Sequence, residues 1–263
     1  MVIHGDCLEE MDKLIDQGVK IDLTITSPPY DNLRTYNNSL EWDENIWKSV
    51  INKLYKITKN GGVVVWVVGD ATINGSETGT SFKQALWAKK CGFNLHDTMI
   101  YIKEQMAFPS KDRYHQGFEY MFILSKGKPK TFNPIKDRKN KSFNRKPSKR
   151  TERNAAGKLI RKKPVKVREY SERFNHWLIY NLKRGFENNH PAIFPEKLAS
   201  DHIISWSNEY DTVLDPFAGS GTTGIACQNL NRKYILIEKE QKYIDIINKR
   251  LEENNDHLFK GVS

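Results

Sequence analysis

The chain has 263 residues, 38% of them hydrophobic and 28% charged, with a net charge of +10; this length suits one large core or two small ones. Its three cysteines, Cys7, Cys91 and Cys227, have neither paired nor metal-like spacing, which argues against zinc and for core residues in a reducing compartment. No long apolar run occurs, and Asp6, Glu9, Glu10 and Asp12 make the first residues acidic, so neither a signal peptide nor a membrane span is expected and a cytoplasmic location is.

Val2-Ile3-His4 reads as a short strand, and Cys7 to Asp16 as a helix with Leu8, Met11, Leu14 and Ile15 on one face. Ile21 to Thr26 is the next strand. It runs into Ser27-Pro28-Pro29-Tyr30, where two prolines without N–H groups and with fixed φ stop the strand and hold their neighbouring carbonyls in a stiff geometry. A hydroxyl, a proline carbonyl and an aromatic face could grip a planar group that carries an amine, as a nucleobase does; a plain strand breaker is the other reading. A loop at 31–42 leads to a helix over Asp43 to Thr58, with Ile46, Val50, Leu54 and Ile57 as its apolar stripe and Gly61-Gly62 as its C-cap pair. Val63 to Val68 is a buried strand, Asp70 to Thr80 a loop, and a helix through Ala88 stops near Gly92. Leu95 to Ile102 and Phe118 to Leu124 are strands, and Ser171 to Leu182 and Pro195 to Trp206 helices. Between those helices the His-Pro and Phe-Pro steps of 188–195 impose an extended lead-in.

Next comes Asp211-Thr-Val-Leu-Asp-Pro-Phe-Ala-Gly-Ser-Gly-Thr-Thr-Gly224, a β-branched run that ends in an acid and a glycine-rich turn, with a helix expected after it. Gly219, Gly221 and Gly224 have G-x-G-x-x-G spacing, and Glu238 closes the following apolar run Tyr234 to Ile237. The absence of a lysine after Gly221 excludes a Walker A loop, but a dinucleotide site and an S-adenosylmethionine site both stay open. Seven strands mostly separated by helices predict a doubly wound α/β sheet, in which ligands bind outside the carboxyl ends of strands.

The charge is unevenly spread. Residues 126–168 carry 18 Lys or Arg against Asp137 and Glu152, a surplus of 16 that leaves the rest of the chain at −6. An acidic body with one basic segment is the footprint of a nucleic-acid contact, and Thr131, Phe132, Asn133, Asn140, Phe143 and Asn144 interleave with the charges; a solvated charge run is the alternative.

Ser-Pro-Pro-Tyr near the N-terminus followed by Asp-Pro-Phe-Ala-Gly-Ser-Gly-Thr-Thr near the C-terminus resembles the amino-methylating DNA methyltransferases of the β arrangement, over roughly residues 1 to 125 and 185 to 255. The resemblance implies a circularly permuted, mostly parallel sheet of seven strands. The catalytic domain is then formed by 1–125 and 185–263, with a target-recognition region at 126–184 inserted between. It implies S-adenosylmethionine as cofactor, held by Asp215, Phe217, Ala218, Gly219, Ser220, Gly221 and Thr222, with Glu238 on the ribose hydroxyls. Asp6 would bond the adenine, although it also reads as a helix cap; Cys7 would contact the cofactor and Phe194 would pack beside it. Ser27, Pro28, Pro29 and Tyr30 would hold the target amine of a flipped-out base. Double-stranded DNA is the expected partner; a homodimer and a functional pairing with a restriction endonuclease are both compatible with it. Members with Ser before Pro-Pro-Tyr usually modify cytosine N4, and those with Asp or Asn adenine N6, so Ser27 points to cytosine.

Two other classes compete. An NAD-dependent oxidoreductase would use the same glycines, but Asp215-Pro216-Phe217 intervenes where a dehydrogenase turns at once, and no Tyr-x-x-x-Lys set follows. A non-catalytic DNA-binding protein would use the basic segment and leave the Pro-Pro motif without a purpose.

Overall fold

The computed structural model describes residues 1–29, 42–103, 112–144, 150–163, 166–179 and 195–260. Tyr30, Phe194, most of the expected loop at 31–42 and the lead-in before Pro195 lie outside the described residues. Two compact units result, one formed by Met1–Asn133 with Asn175–Ser263 and the other by Pro134–Phe174.

The chain opens with β1 (Val2–His4), α1 (Cys7–Asp16) and β2 (Ile21–Thr26), then α2 (Glu44–Ile57) and β3 (Thr58–Val68). A small hairpin, β4 (Thr72–Ile73) with β5 (Ser76–Glu77), occupies the stretch read as a loop, and α3 (Thr80–Cys91), β6 (Asn94–Ile102) and β7 (Phe118–Ser125) follow. The second unit holds β8 (Arg138–Lys139), β9 (Arg150–Arg153), β10 (Leu159–Lys162) and β11 (Tyr170–Ser171). The chain then returns through β12 (His176–Leu178), α4 (Glu196–Trp206), β13 (Thr212–Asp215), α5 (Thr222–Asn229), β14 (Lys233–Glu238) and α6 (Gln241–Lys260).

The main sheet has the order β1-β14-β13-β2-β3-β7-β6-β12, with β7 antiparallel to both neighbours and the other pairs parallel. Strand β3 alternates between the two faces. Val64, Trp66 and Val68 join Met11, Trp47, Ile51 and Leu54 from α1 and α2, while Val63, Val65 and Val67 join Leu198 and Ile203 from α4 on the opposite face. Trp66 fits this interior because its ring N–H reaches Gln84 Oε1 at 2.9 Å. Helices on both faces make the sheet doubly wound. Among the described residues no helix is long and apolar enough to cross a membrane.

Two expectations are corrected. The helix expected over Ser171 to Leu182 is absent from its described part: Ser171 ends β11, and His176–Leu178 pairs in parallel with Ile100–Ile102 as an eighth strand. Trp177 and Ile179 are buried while His176 and Leu178 are exposed, a period of two that suits a strand edge and not a helix. The Gly61-Gly62 pair does not cap α2. That helix ends at Thr58, whose hydroxyl donates to Leu54 O, and the glycines lie within β3, where Ile21 pairs with Thr58 but Leu23 with Val63. Gly61 has φ +83°, and a Cβ on Gly62 would stand 2.9 Å from Asp22 O, so both positions need glycine for the bulge.

Candidate active site

Parallel pairing places the ends of β1, β14, β13 and β2 along one edge of the sheet. The motif that closes β2 and the motif that closes β13, far apart in sequence, are therefore neighbours. Thr26, the last residue of β2, donates its hydroxyl proton to Asp215 Oδ1 at 2.9 Å, and both side chains are buried. Ser27 follows at once and is half-buried; Pro28 and Pro29 are buried. Tyr30, expected beside them, lies outside the described residues.

Asp215 is the hub of this edge. Its Oδ1 also accepts from the backbone N–H of Phe217 at 3.1 Å, and Oδ2 accepts from the Thr223 hydroxyl at 2.6 Å. Burial pushes its carboxyl up to about 6, and the hydrogen bonds from Thr223, Thr26 and Phe217 oppose that rise. The glycine-rich turn is then tied to β14. Ala218 N–H donates to Ile237 O at 3.0 Å, and Gly219 N–H donates to Glu238 Oε2 at 2.8 Å. Glu238 Oε1 accepts from the N–H groups of Lys239 and Glu240, each at 3.0 Å. Burial first, and the charge of Asp215 to a lesser degree, raise the Glu238 carboxyl above its ordinary value, against these backbone donors.

The glycines divide their work. Gly221 stands at the N-cap of α5 with φ +80°, and the space that its absent Cβ frees is filled by Ile247 of α6, 3.0 Å from the Cβ position. Gly224 serves packing: a Cβ there would stand 2.7 Å from Leu236 Cδ1. Ser220 is buried, and its hydroxyl and carbonyl both accept from Arg250 of α6, whose guanidinium is lowered by burial. Thr222 opens α5 and is buried. Phe217 meets Trp42 edge to face, with centroids 5.4 Å apart.

At the neighbouring strand end, Asp6 caps α1 by accepting from Leu8 N–H at 2.9 Å, while its Oδ2 lies 3.8 Å from Lys239 Nζ. The cap reading is thus realised, and one carboxylate oxygen is left toward Lys239. Burial and the Asp6 charge push the Cys7 thiol up to about 12, so it stays neutral.

Three carboxylates, Asp6, Asp215 and Glu238, therefore share one edge. This donor set fits a cationic ligand that carries a diol and an amine, as S-adenosylmethionine does, and it opposes the pyrophosphate of a dinucleotide. Thr26, Thr223, Arg250 and Trp42 are members of the site that reading motif by motif misses. Thr223 lies inside the quoted stretch, and Arg250 sits between Ile247 and Leu251 on the apolar face of α6, where a cation needs a reason.

Some residues expected at DNA have internal duties. Asn133 Nδ2 donates to Ile204 O, Ser207 O and Asn208 Oδ1, and Phe132 stacks against Trp206 at 4.9 Å. Within the second unit, Asn140 Nδ2 donates to Arg168 O and to Ser171 Oγ.

The model of the N6/N4 DNA methylase family matches residues 21–249. The orphan methyltransferase M.BamHII of Bacillus amyloliquefaciens is 56% identical over 241 residues, covering 88% of each chain. The DNA adenine methyltransferase YhdJ of Escherichia coli (strain K12) is 27% identical, over 95% of this chain and 82% of its own. Among solved structures, the M1.HpyAVI complex with SAM aligns with a TM-score of 0.65 at 24% identity, covering 95% of this chain and 98% of that one. The cytosine-N4-specific PvuII DNA methyltransferase aligns with 0.66 at 20%, covering 95% and 92%. At these identities the two structures speak for the fold alone.

Proposed function

The chain belongs to the N6/N4 DNA methylase family, whose members are S-adenosylmethionine-dependent DNA methyltransferases, and we propose that it methylates the N4 amine of cytosine in a base flipped out of the duplex. The observation that supports methyl transfer at this site is the Thr26–Asp215 hydrogen bond, which joins the Pro-Pro motif to the glycine-rich motif on one sheet edge, and the choice of cytosine rests on Ser27.

Bound S-adenosylmethionine supplies the electrophilic methyl group. Glu238 accepts from the ribose hydroxyls, and Phe217, Ala218, Gly219, Ser220, Gly221 and Thr222 form the turn around the methionine portion. Asp215 acts through its negative charge near the sulfonium, since it is buried and its oxygens already serve Thr26, Thr223 and Phe217, whereas Glu238 is only half-buried. Asp6 is assigned to the adenine ring, and Cys7 and Phe194 to further cofactor contacts.

A base amine is a weak nucleophile because its lone pair is delocalised into the ring. The Ser27 hydroxyl and the Pro28 carbonyl accept from its two hydrogens, which favours a pyramidal nitrogen, and Tyr30 stacks on the extruded ring. Extrusion costs about a few kcal/mol, and positioning supplies most of the acceleration. A Ser27 hydroxyl can donate as well as accept, which suits cytosine, whose N3 acceptor adjoins the amine. Adenine N6 is the second reading, because adenine also has a ring acceptor beside its amine.

The partner is double-stranded DNA, with 126–184 as target-recognition region and a cytoplasmic location. The orphan name of the 56%-identical relative favours a solitary enzyme over one paired with a restriction endonuclease. Transfer of labelled methyl groups to duplex DNA, set beside S-adenosylmethionine binding by calorimetry, tests the assignment of sides. Ser27→Ala is expected to lose most transfer while binding the cofactor as the wild type does; equal loss of cofactor binding would show the sides to be misassigned.

A further inference from the structure

The second unit contains a hairpin whose two faces differ. In β9–β10, Arg153 pairs with Leu159, Glu152 with Ile160 and Thr151 with Arg161. Side chains of paired residues share a face, so Thr151, Arg153, Leu159 and Arg161 stand on one side and Glu152, Ile160 and Lys162 on the other. On the second side Glu152 and Lys162 form an ion pair at 2.5 Å. The first side carries two guanidinium groups, a hydroxyl and an isobutyl group, and no acid.

The hairpin has little to hold it by itself. Leu159 is 61% exposed and Ile160 44%, on opposite faces, and an isolated two-stranded ribbon is marginal in water. Its tip is held by hydrogen bonds. Asn154 Oδ1 accepts from the N–H groups of Ala156 and Lys158, Asn154 N–H donates to Lys158 O, and Gly157 takes φ +76° in the turn. Arg153 Nη1 donates to Gly157 O at 3.1 Å, which anchors one nitrogen of the guanidinium at the turn and uses one of its five N–H donors.

We propose that this hairpin enters the major groove of duplex DNA and reads base edges with the Arg153–Leu159–Arg161 face. The inference rests on the DNA methyltransferase reading above. A two-stranded ribbon fits the width of that groove, guanidinium groups pair in bidentate fashion with guanine O6 and N7, and an aliphatic side chain meets the thymine methyl. Charge complementarity selects the partner: a face with two cations and no acid is matched by a polyanion, which supplies acceptors and also covers Leu159. The other face carries an acid, Glu152, held in an ion pair with Lys162, and turns away from the bases.

The test is to methylate bacterial genomic DNA in vitro with the full-length wild type and with Arg153→Gln, Arg161→Gln and Lys162→Gln, and to read the methylated motif by modification-sensitive sequencing. Cofactor binding is measured alongside as a check on folding. Arg153→Gln and Arg161→Gln are expected to lower the preference for the recognised base at one motif position by roughly tenfold or more, with cofactor affinity unchanged. Lys162→Gln should leave the motif intact. A wild-type motif and rate in both arginine variants would overturn the hairpin's role alone, and a motif relaxed equally by Lys162→Gln would overturn the choice of face. Tighter binding of the full-length protein to single-stranded RNA than to duplex DNA would also overturn it. If the wild-type chain methylates no DNA, the functional reading falls first.

Discussion

Thr26 Oγ1 and Asp215 Oδ1 lie 2.9 Å apart although 189 positions separate them in the chain. Through this bond the strand that delivers Ser27-Pro28-Pro29 and the strand that delivers the glycine-rich turn end at a shared, buried carboxylate. The geometry of the Pro-Pro motif and of the glycine-rich turn is thus set by one group. Removing the hydroxyl should affect both.

Thr26→Val keeps the shape and deletes the donor to a buried carboxylate. A hydrogen bond to a charged group is worth about 1.5–3 kcal/mol, so urea unfolding should show a loss of that order, accompanied by a fall in kcat/KM for methyl transfer. Unchanged stability and kcat/KM would show that the two motifs are positioned by other contacts.

The raised carboxyl of Asp215 gives a pH dependence with a definite sign. Its folded value of about 6 exceeds the ordinary 3.8, so the native state binds the proton more tightly than the unfolded chain. Its contribution is most favourable below pH about 4 and is lost as pH rises through about 6. Asp215→Asn has no such titration. The stability of the wild type relative to this variant should therefore fall between pH 4 and pH 6.5 and level off above, as read by urea unfolding at a series of pH values; a flat difference would contradict it.

Glu238 holds the turn by accepting from Gly219 N–H and is the residue proposed to accept from the ribose hydroxyls. Glu238→Gln turns one acceptor into a donor, at a cost of about 1.5–3 kcal/mol. S-Adenosylmethionine affinity should fall roughly 10- to 100-fold by calorimetry while affinity for duplex DNA is retained.

Gly224→Ala separates packing from helix propensity. Alanine alone would favour a helix by about 1 kcal/mol, but the new Cβ would stand 2.7 Å from Leu236 Cδ1 and 3.2 Å from Leu251 Cδ2. Overpacking of this kind costs about 1–3 kcal/mol, so net destabilisation is expected in a denaturant melt, and a stabilised variant would mean that Leu236 yields freely.

The sequence made much of the framework legible because its elements carry local signals. Cys7 to Asp16 is bounded by an acid that caps it and appears as read, while Val63 to Val68, an apolar run too short for a helix, is a strand as expected but one that begins earlier, at Thr58. The adjacency of β2 and β13 is a different matter: it is a property of the sheet order, and no residue near Thr26 encodes which strand will pair beside it. The strand at His176–Leu178 was hidden for a related reason. Its period is visible over only a few residues, and the edge of β6 decides its state. Arg250 escaped because a helix face has to be docked before its cation can be seen to reach Ser220.

The central claim, that the Ser27 edge transfers methyl groups to cytosine N4, is tested most directly by the product. Duplex DNA is incubated with the protein and S-adenosylmethionine carrying a deuterated methyl group, digested to nucleosides and analysed by mass spectrometry. The account predicts labelled N4-methylcytosine, and labelled N6-methyladenine as the only product would contradict it.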